Sequence, residues 1–279
     1  KEVRLPRALL GLTIGATLGL SGAALQGYLR NPLAEPGLIG ISAAASLGAV
    51  LAIYSGLTAA FALALPLAAL AASVVAVIVV QALAGLRGGA LSIILAGVAV
   101  SSFAGAMTSL ALNLSSNPFA AMEIMFWMLG SLTDRSMLHV WLAGPFMLVG
   151  WVMLALLGRA LDALTLGNDT AASMGVDLRR VQFLAVFGTA ASVGAATAVA
   201  GAIGFVGLVV PHVLRPLVGA RPSRLLPASA LGGACVVLAA DIAVRLIAPD
   251  RDLKLGVLTA LVGAPFFLWL VYRTRRRLA

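Results

Sequence analysis

Apolar residues run along this chain in long blocks separated by short polar breaks. That is the pattern of helices that are hydrophobic all round rather than along one stripe. Nine blocks can be read. The first covers residues 8–29 and ends at Arg30-Asn31-Pro32-Leu33-Ala34-Glu35-Pro36-Gly37. The second covers 38–54 and the third 59–83, closed by Arg87-Gly88-Gly89, after which the fourth runs to residue 112. Residues 113–134 mix polar residues with aromatics and methionines. The fifth block, 138–157, precedes the longest polar stretch, 159–180. The sixth is 181–200, and the seventh, 203–218, is short and broken by Gly204, Gly207 and Pro211. The eighth and ninth are 225–247 and 255–272. About 20 apolar residues cross a bilayer as one helix. The pattern therefore predicts an all-α, polytopic membrane helix bundle, with nine spans in one domain over residues 1–279.

Composition narrows the class. The chain is 61% hydrophobic and 10% charged, against about 45–50% and about 25% for ordinary soluble domains. A soluble enzyme, a disordered tail and a nucleic-acid-binding module are excluded. The net charge is +9, and its sidedness orients the spans. With the Arg-rich tail (Arg273, Arg275, Arg276, Arg277) inside, twelve cations lie inside and seven outside, the latter offset by six acids. The N-terminus is then outside and the C-terminus inside. An outside N-terminus without a signal peptide leads us to expect one span before Lys1, ten in the intact subunit.

Several residues exceed what spanning requires. Gly11, Gly15 and Gly19 recur every four residues, spacing that lets helix backbones approach closely, with a hinge as the alternative. The broken segment 203–218 should face the bundle interior, where its backbone is covered. In the polar stretch, Asn168 or Asp169 suits a helix start and Gly175 its end; a short helix there is a docking knob or a plain connection. Asp241 and Arg245 are spaced for a helical pair, or Arg245 snorkels alone. The single cysteine, Cys235, reads as a small buried hydrophobe. No His/Cys spacing points to a metal. No Walker A loop is present, and no span carries the buried charged cluster an ion relay needs. That argues against an ion-coupled secondary transporter, the competing reading, and leaves a scaffold without transport as a third.

Motifs then carry a resemblance. Arg4-Leu5-Pro6-Arg7 leads into the Gly-rich first span, and Asn31-Pro32-Leu33-Ala34-Glu35-Pro36-Gly37 follows it. Later come Leu95-Ala-Gly-Val98, Phe126-Trp-Met-Leu-Gly130, Gly201-Ala-Ile-Gly-Phe-Val-Gly-Leu-Val-Val-Pro211-His212, Ala240-Asp-Ile242 and Gly256-Val-Leu-Thr-Ala-Leu-Val-Gly-Ala-Pro265. Together they resemble, in order, the permease family of type II ABC importers, which take up iron–siderophore complexes, haem and vitamin B12.

The resemblance implies a non-enzymatic permease subunit in the bacterial inner membrane. It implies a second permease subunit, in a homodimer, two ATP-binding subunits and a periplasmic binding protein. ATP and magnesium would sit on the ATPases, and no cofactor on this chain. Arg4, Arg7 and Arg245 resemble the outward arginines that meet glutamates of the binding protein. Residues 159–180 resemble the cytoplasmic coupling helices, with Thr170, Ala171, Ala172, Ser173, Met174 and Gly175 seated in the ATPase. Met122, Met125, Phe126 and Trp127 either line or gate the path or form an outer re-entrant helix. Asn31, Pro32, Glu35, Pro36, Gly37, Pro211 and His212 belong to structural motifs, His212 making a hydrogen bond rather than binding metal.

Overall fold

A computed structural model describes residues 2–61, 63–85, 89–115, 117–248 and 253–278. The predicted break at Arg87 and Gly88 and the cations Lys1 and Arg251 lie outside them. Thirteen α-helices and no strand occur among the described residues. In order they are α1 (Arg4–Tyr28), α2 (Ile41–Tyr54), α3 (Leu57–Ala60), α4 (Ala64–Ala84) and α5 (Ala90–Leu114), then α6 (Pro118–Met128), α7 (Met137–Ala155), α8 (Gly158–Leu164) and α9 (Asn168–Ser173), and finally α10 (Leu178–Ala200), α11 (Val206–Leu214), α12 (Pro222–Ile247) and α13 (Leu255–Leu278).

Seven of these, α1, α4, α5, α7, α10, α12 and α13, are long and apolar enough to cross a membrane. The second and seventh predicted spans are shorter. The second divides into a 3₁₀ turn, Pro36–Ile39, and the 14-residue α2, about 21 Å long against a hydrocarbon core of about 30 Å. Gly40 separates them with φ +80°, and a Cβ there would press on Val100 at 3.1 Å. The seventh is the nine-residue α11 followed by a 3₁₀ turn, Arg215–Val218. It starts late because Phe205 holds a left-handed φ of +67°. Hydropathy does not register either backbone reversal.

Helices α1 and α10 form the centre and are the most buried spans. The packing of α1 on α12 follows from the predicted glycine stripe. A Cβ at Gly15 would meet the Gly233 carbonyl and, at 2.7 Å, Ala234 Cα; one at Gly19 would meet the Ser229 carbonyl. The two backbones touch with no side chain between them. A central core joins Leu10, Ile14, Met147, Val193, Val199, Val206 and Val237. A second cluster lies toward the opposite end of α1 and joins α8, α9 and the start of α12. Cys235 departs from expectation: it is exposed, because α12 turns its glycine side to α1 and its other side outward.

Candidate functional site

Polar chemistry collects at the two ends of the α1–α12 pair. At the end carrying the N-terminus, Arg7 of α1 reaches Asp241 of α12. Its Nε donates to both carboxylate oxygens, at 2.9 and 3.1 Å, and its Nη2 lies 2.8 Å from Oδ1. Arg245, one turn beyond Asp241, brings Nη2 to 3.1 Å from Oδ2. The spaced Asp241–Arg245 pair thus forms, with Arg7 as a third member that spacing alone does not reveal. Side-chain exposure rises from 6% for Asp241 through 19% for Arg7 to 49% for Arg245, so the carboxylate is the buried anchor and the guanidinium groups face out. Arg4 is exposed on the turn before Arg7. Asp241 is thus shared by two guanidinium groups, each able to hold a carboxylate through a planar fork.

At the other end, α8 and α9 form a compact module. Helix α9 starts at Gly167 with no side-chain cap, so Asn168 and Asp169 lie in its first turn rather than capping it, a correction to the expected start. Its end is as expected: Gly175 N–H donates to Ala172 O at 2.9 Å with φ +85°. Thr170, Ala172, Ser173, Met174 and Gly175 are exposed. Ala171 is not; it is fully buried among Leu161, Leu164, Val181 and Leu225, so its small size serves packing inside the subunit. Asp177 caps α10 through the N–H groups of Arg179 and Arg180.

The motif between α1 and α2 folds back into the bundle. Asn31 Oδ1 accepts from Leu33 N–H at 2.9 Å, closing a turn with Pro32 exposed. Pro36 is buried and would crowd a Cβ on Gly207 at 2.7 Å, whereas Gly37 faces open space. Glu35 Oε1 accepts from Phe205 N–H at 2.7 Å. Burial pushes this carboxyl above its ordinary range and the Phe205 N–H opposes that. The contact holds the left-handed residue that starts α11. We expect Glu35→Gln, which keeps an acceptor, to be nearly neutral in thermal unfolding. Glu35→Ala should cost about 1–3 kcal/mol; equal melting temperatures for the two would refute the cap.

Pro211 lies inside α11 and has no N–H for the Gly207 carbonyl. Gln26, buried on α1 and absent from the sequence reading, donates to Gly207 O and Leu208 O at 3.5 and 3.3 Å, and Arg215 donates to its Oε1 at 2.8 Å. His212 Nδ1 has no hydrogen-bond partner, and the ring stands edge-on to Phe266 at 5.8 Å. Met122, Met125 and Phe126 on α6 are exposed, but Trp127 turns into the central core. Ile124, between the two methionines, is buried as well, so α6 turns one face inward and the other outward.

The model of the FecCD transport family matches residues 1–273. The chain is 35% identical to the haemin transport system permease protein HmuU of Yersinia pestis, over 99% of this chain and 84% of that protein. It is 38% identical to the Fe(3+) dicitrate transport system permease protein FecD of Escherichia coli K12, over 98% and 85%. It is also 38% identical to the vitamin B12 import system permease protein BtuC of Klebsiella pneumoniae, over 99% and 83%. A solved inward-facing transporter assigned to the metal-chelate ABC class superposes with a TM-score of 0.90 at 34% identity, covering 98% of this chain and 86% of that one.

Proposed function

Since the chain belongs to the FecCD transport family, the permeases of type II ABC importers, we propose that it carries an iron–siderophore chelate, haem or a corrinoid across the inner membrane by alternating access. Two copies enclose the path, and nine spans of each copy come from the blocks read above, α2 and α11 with their 3₁₀ turns completing the two short ones. A periplasmic binding protein docks on Arg4, Arg7 and Arg245. An ATPase seats on the exposed face of α9, Thr170 to Gly175 without Ala171. The observation that carries this reading is two-ended. An arginine cluster at one end of α12 and a small exposed helical module at the other leave the chain built to engage two different proteins.

The relatives transport haemin, ferric dicitrate and vitamin B12 by name, which supports a bulky chelate as cargo. ATP-driven uptake into proteoliposomes holding the whole complex, with each chelate class offered on the cognate binding protein, identifies it. Uptake that runs on an ion gradient without ATP would overturn the proposal.

Arg4→Glu tests the outer dock cleanly, since Arg7→Glu would also set two carboxylates against each other at Asp241. Exposed pairs contribute only about 0–1 kcal/mol each, so the effect belongs mainly to encounter. We expect the association rate with the binding protein to fall on the order of tenfold at low salt and the difference to fade at high salt. Unchanged association at low salt would remove Arg4 from the dock.

A further inference from the structure

Helix α12 starts without a cap of its own. Its N-cap residue, Arg221, makes no side-chain bond to the first turn, and Pro222 follows. The cap comes from the α8–α9 module instead. Asp162 of α8 accepts from Ser223 N–H through Oδ1 at 2.9 Å and from the Ser223 hydroxyl through Oδ2 at 2.6 Å. Charge-assisted bonds of this kind are short and strong, and the carboxylate faces the positive end of the helix dipole. Apolar contacts reinforce the grip: Leu161 and Leu164 of α8 share a cluster with Leu225 and Leu226 of α12. Gly158 of α8 also lies against this turn: a Cβ on it would make ordinary contact with Ser223 Cβ at 3.4 Å.

From this grip α12 runs 26 residues, about 39 Å of helix. Midway, Ser229 and Gly233 meet Gly19 and Gly15 of α1 backbone to backbone. Near its far end Asp241 holds Arg7 of α1. The helix is thus pinned by one carboxylate at each end and by glycine contacts between.

We propose that Asp162 is the positioning residue through which the α8–α9 module drives α12. A shift of the module moves α12, which continues past Pro227 as one helix, and through the glycine contacts α1, linking the ATPase face to the arginine cluster. This rests on the reading of α8–α9 as the ATPase seat. Asp162 touches neither nucleotide nor cargo; it acts through Ser223.

The test uses the complete complex in proteoliposomes, with uptake and ATP hydrolysis measured together. In Asp162→Ala we expect uptake per ATP hydrolysed to fall on the order of tenfold, while ATPase subunits still co-purify and hydrolysis without binding protein is retained. Asp162→Glu, which keeps the carboxylate, should recover part of the ratio. Asp162→Ala with Ser223→Ala should be no worse than Asp162→Ala alone. An unchanged ratio in Asp162→Ala, or losses that multiply in the double variant, would overturn the proposal. Should Asp162→Ala fail to assemble, the near-isosteric Asp162→Asn with Ser223→Ala, stripped of the charge and of the hydroxyl bond, decides: a lowered ratio in an assembled complex supports the link, and an unchanged one refutes it. Absence of ATP-driven uptake by the unmodified complex would instead refute the importer reading itself.

Discussion

Gly19→Leu should leave almost no folded protein, whereas Gly144→Leu should behave as the native chain. At Gly19 a new Cβ meets the Ser229 carbonyl of α12, while at Gly144 it meets nothing within 4 Å. A side chain can rotate away from an intruder; a helix backbone can only retreat. Overpacking an ordinary core costs about 1–3 kcal/mol, occasionally more, and a backbone obstacle belongs at or beyond the top of that range. In a bilayer the loss is harder to recover, because lipid is as apolar as the helix surface and close packing is what holds helices together. Separating α1 from α12 would also pull Arg7 away from Asp241, so both contacts fail together. Size-exclusion yield and the unfolding midpoint in detergent check this. A native midpoint for Gly19→Leu would mean that α1 and α12 do not meet there.

The glycine stripe was legible because residues four apart share a helix face, and close approach is what small residues at that spacing permit. The Asp241–Arg245 pair was legible for the same local reason. Arg7 joins it from a different helix, 234 residues away, which no spacing rule reaches. Gln26, Asp162 and Ser223 escaped for that cause as well: each is a polar residue near a helix end whose use depends on a distant partner. Span boundaries came through where apolar composition alone decides them, as in α7 and α10; the third predicted block instead divides into α3 and α4. They failed at Gly40 and Phe205, where backbone dihedrals reverse the chain without changing its hydropathy. Ala171 shows a different limit. A small residue suits a tight internal core and a tight external seat equally well, and only burial separates the two.

That distinction sets up the second large effect. Ser173→Trp and Ala171→Trp add the same bulk two residues apart on α9, with opposite expected outcomes. Ser173 is exposed, and its hydroxyl bonds only within the helix, to Thr170 O at 2.8 Å. Its replacement should leave the permease folded but block the seat of the ATPase, where interface residues of this size cost about 2 kcal/mol or more. ATP-driven uptake should then fall by on the order of thirtyfold or more. Ala171 is fully buried, so a tryptophan there must displace Leu164 or Leu225 and should lower the unfolding midpoint before docking is at issue. Gly175→Trp is expected to lose uptake too, but its φ of +85° adds strain of roughly 1–2 kcal/mol for any L side chain. Gly175→Asn, which tolerates that conformation, separates strain from blockage: uptake should survive in Asn and not in Trp. Uptake that survives Ser173→Trp with the ATPase still bound would remove this face of α9 from the ATPase contact and leave Asp162 without a lever to act on.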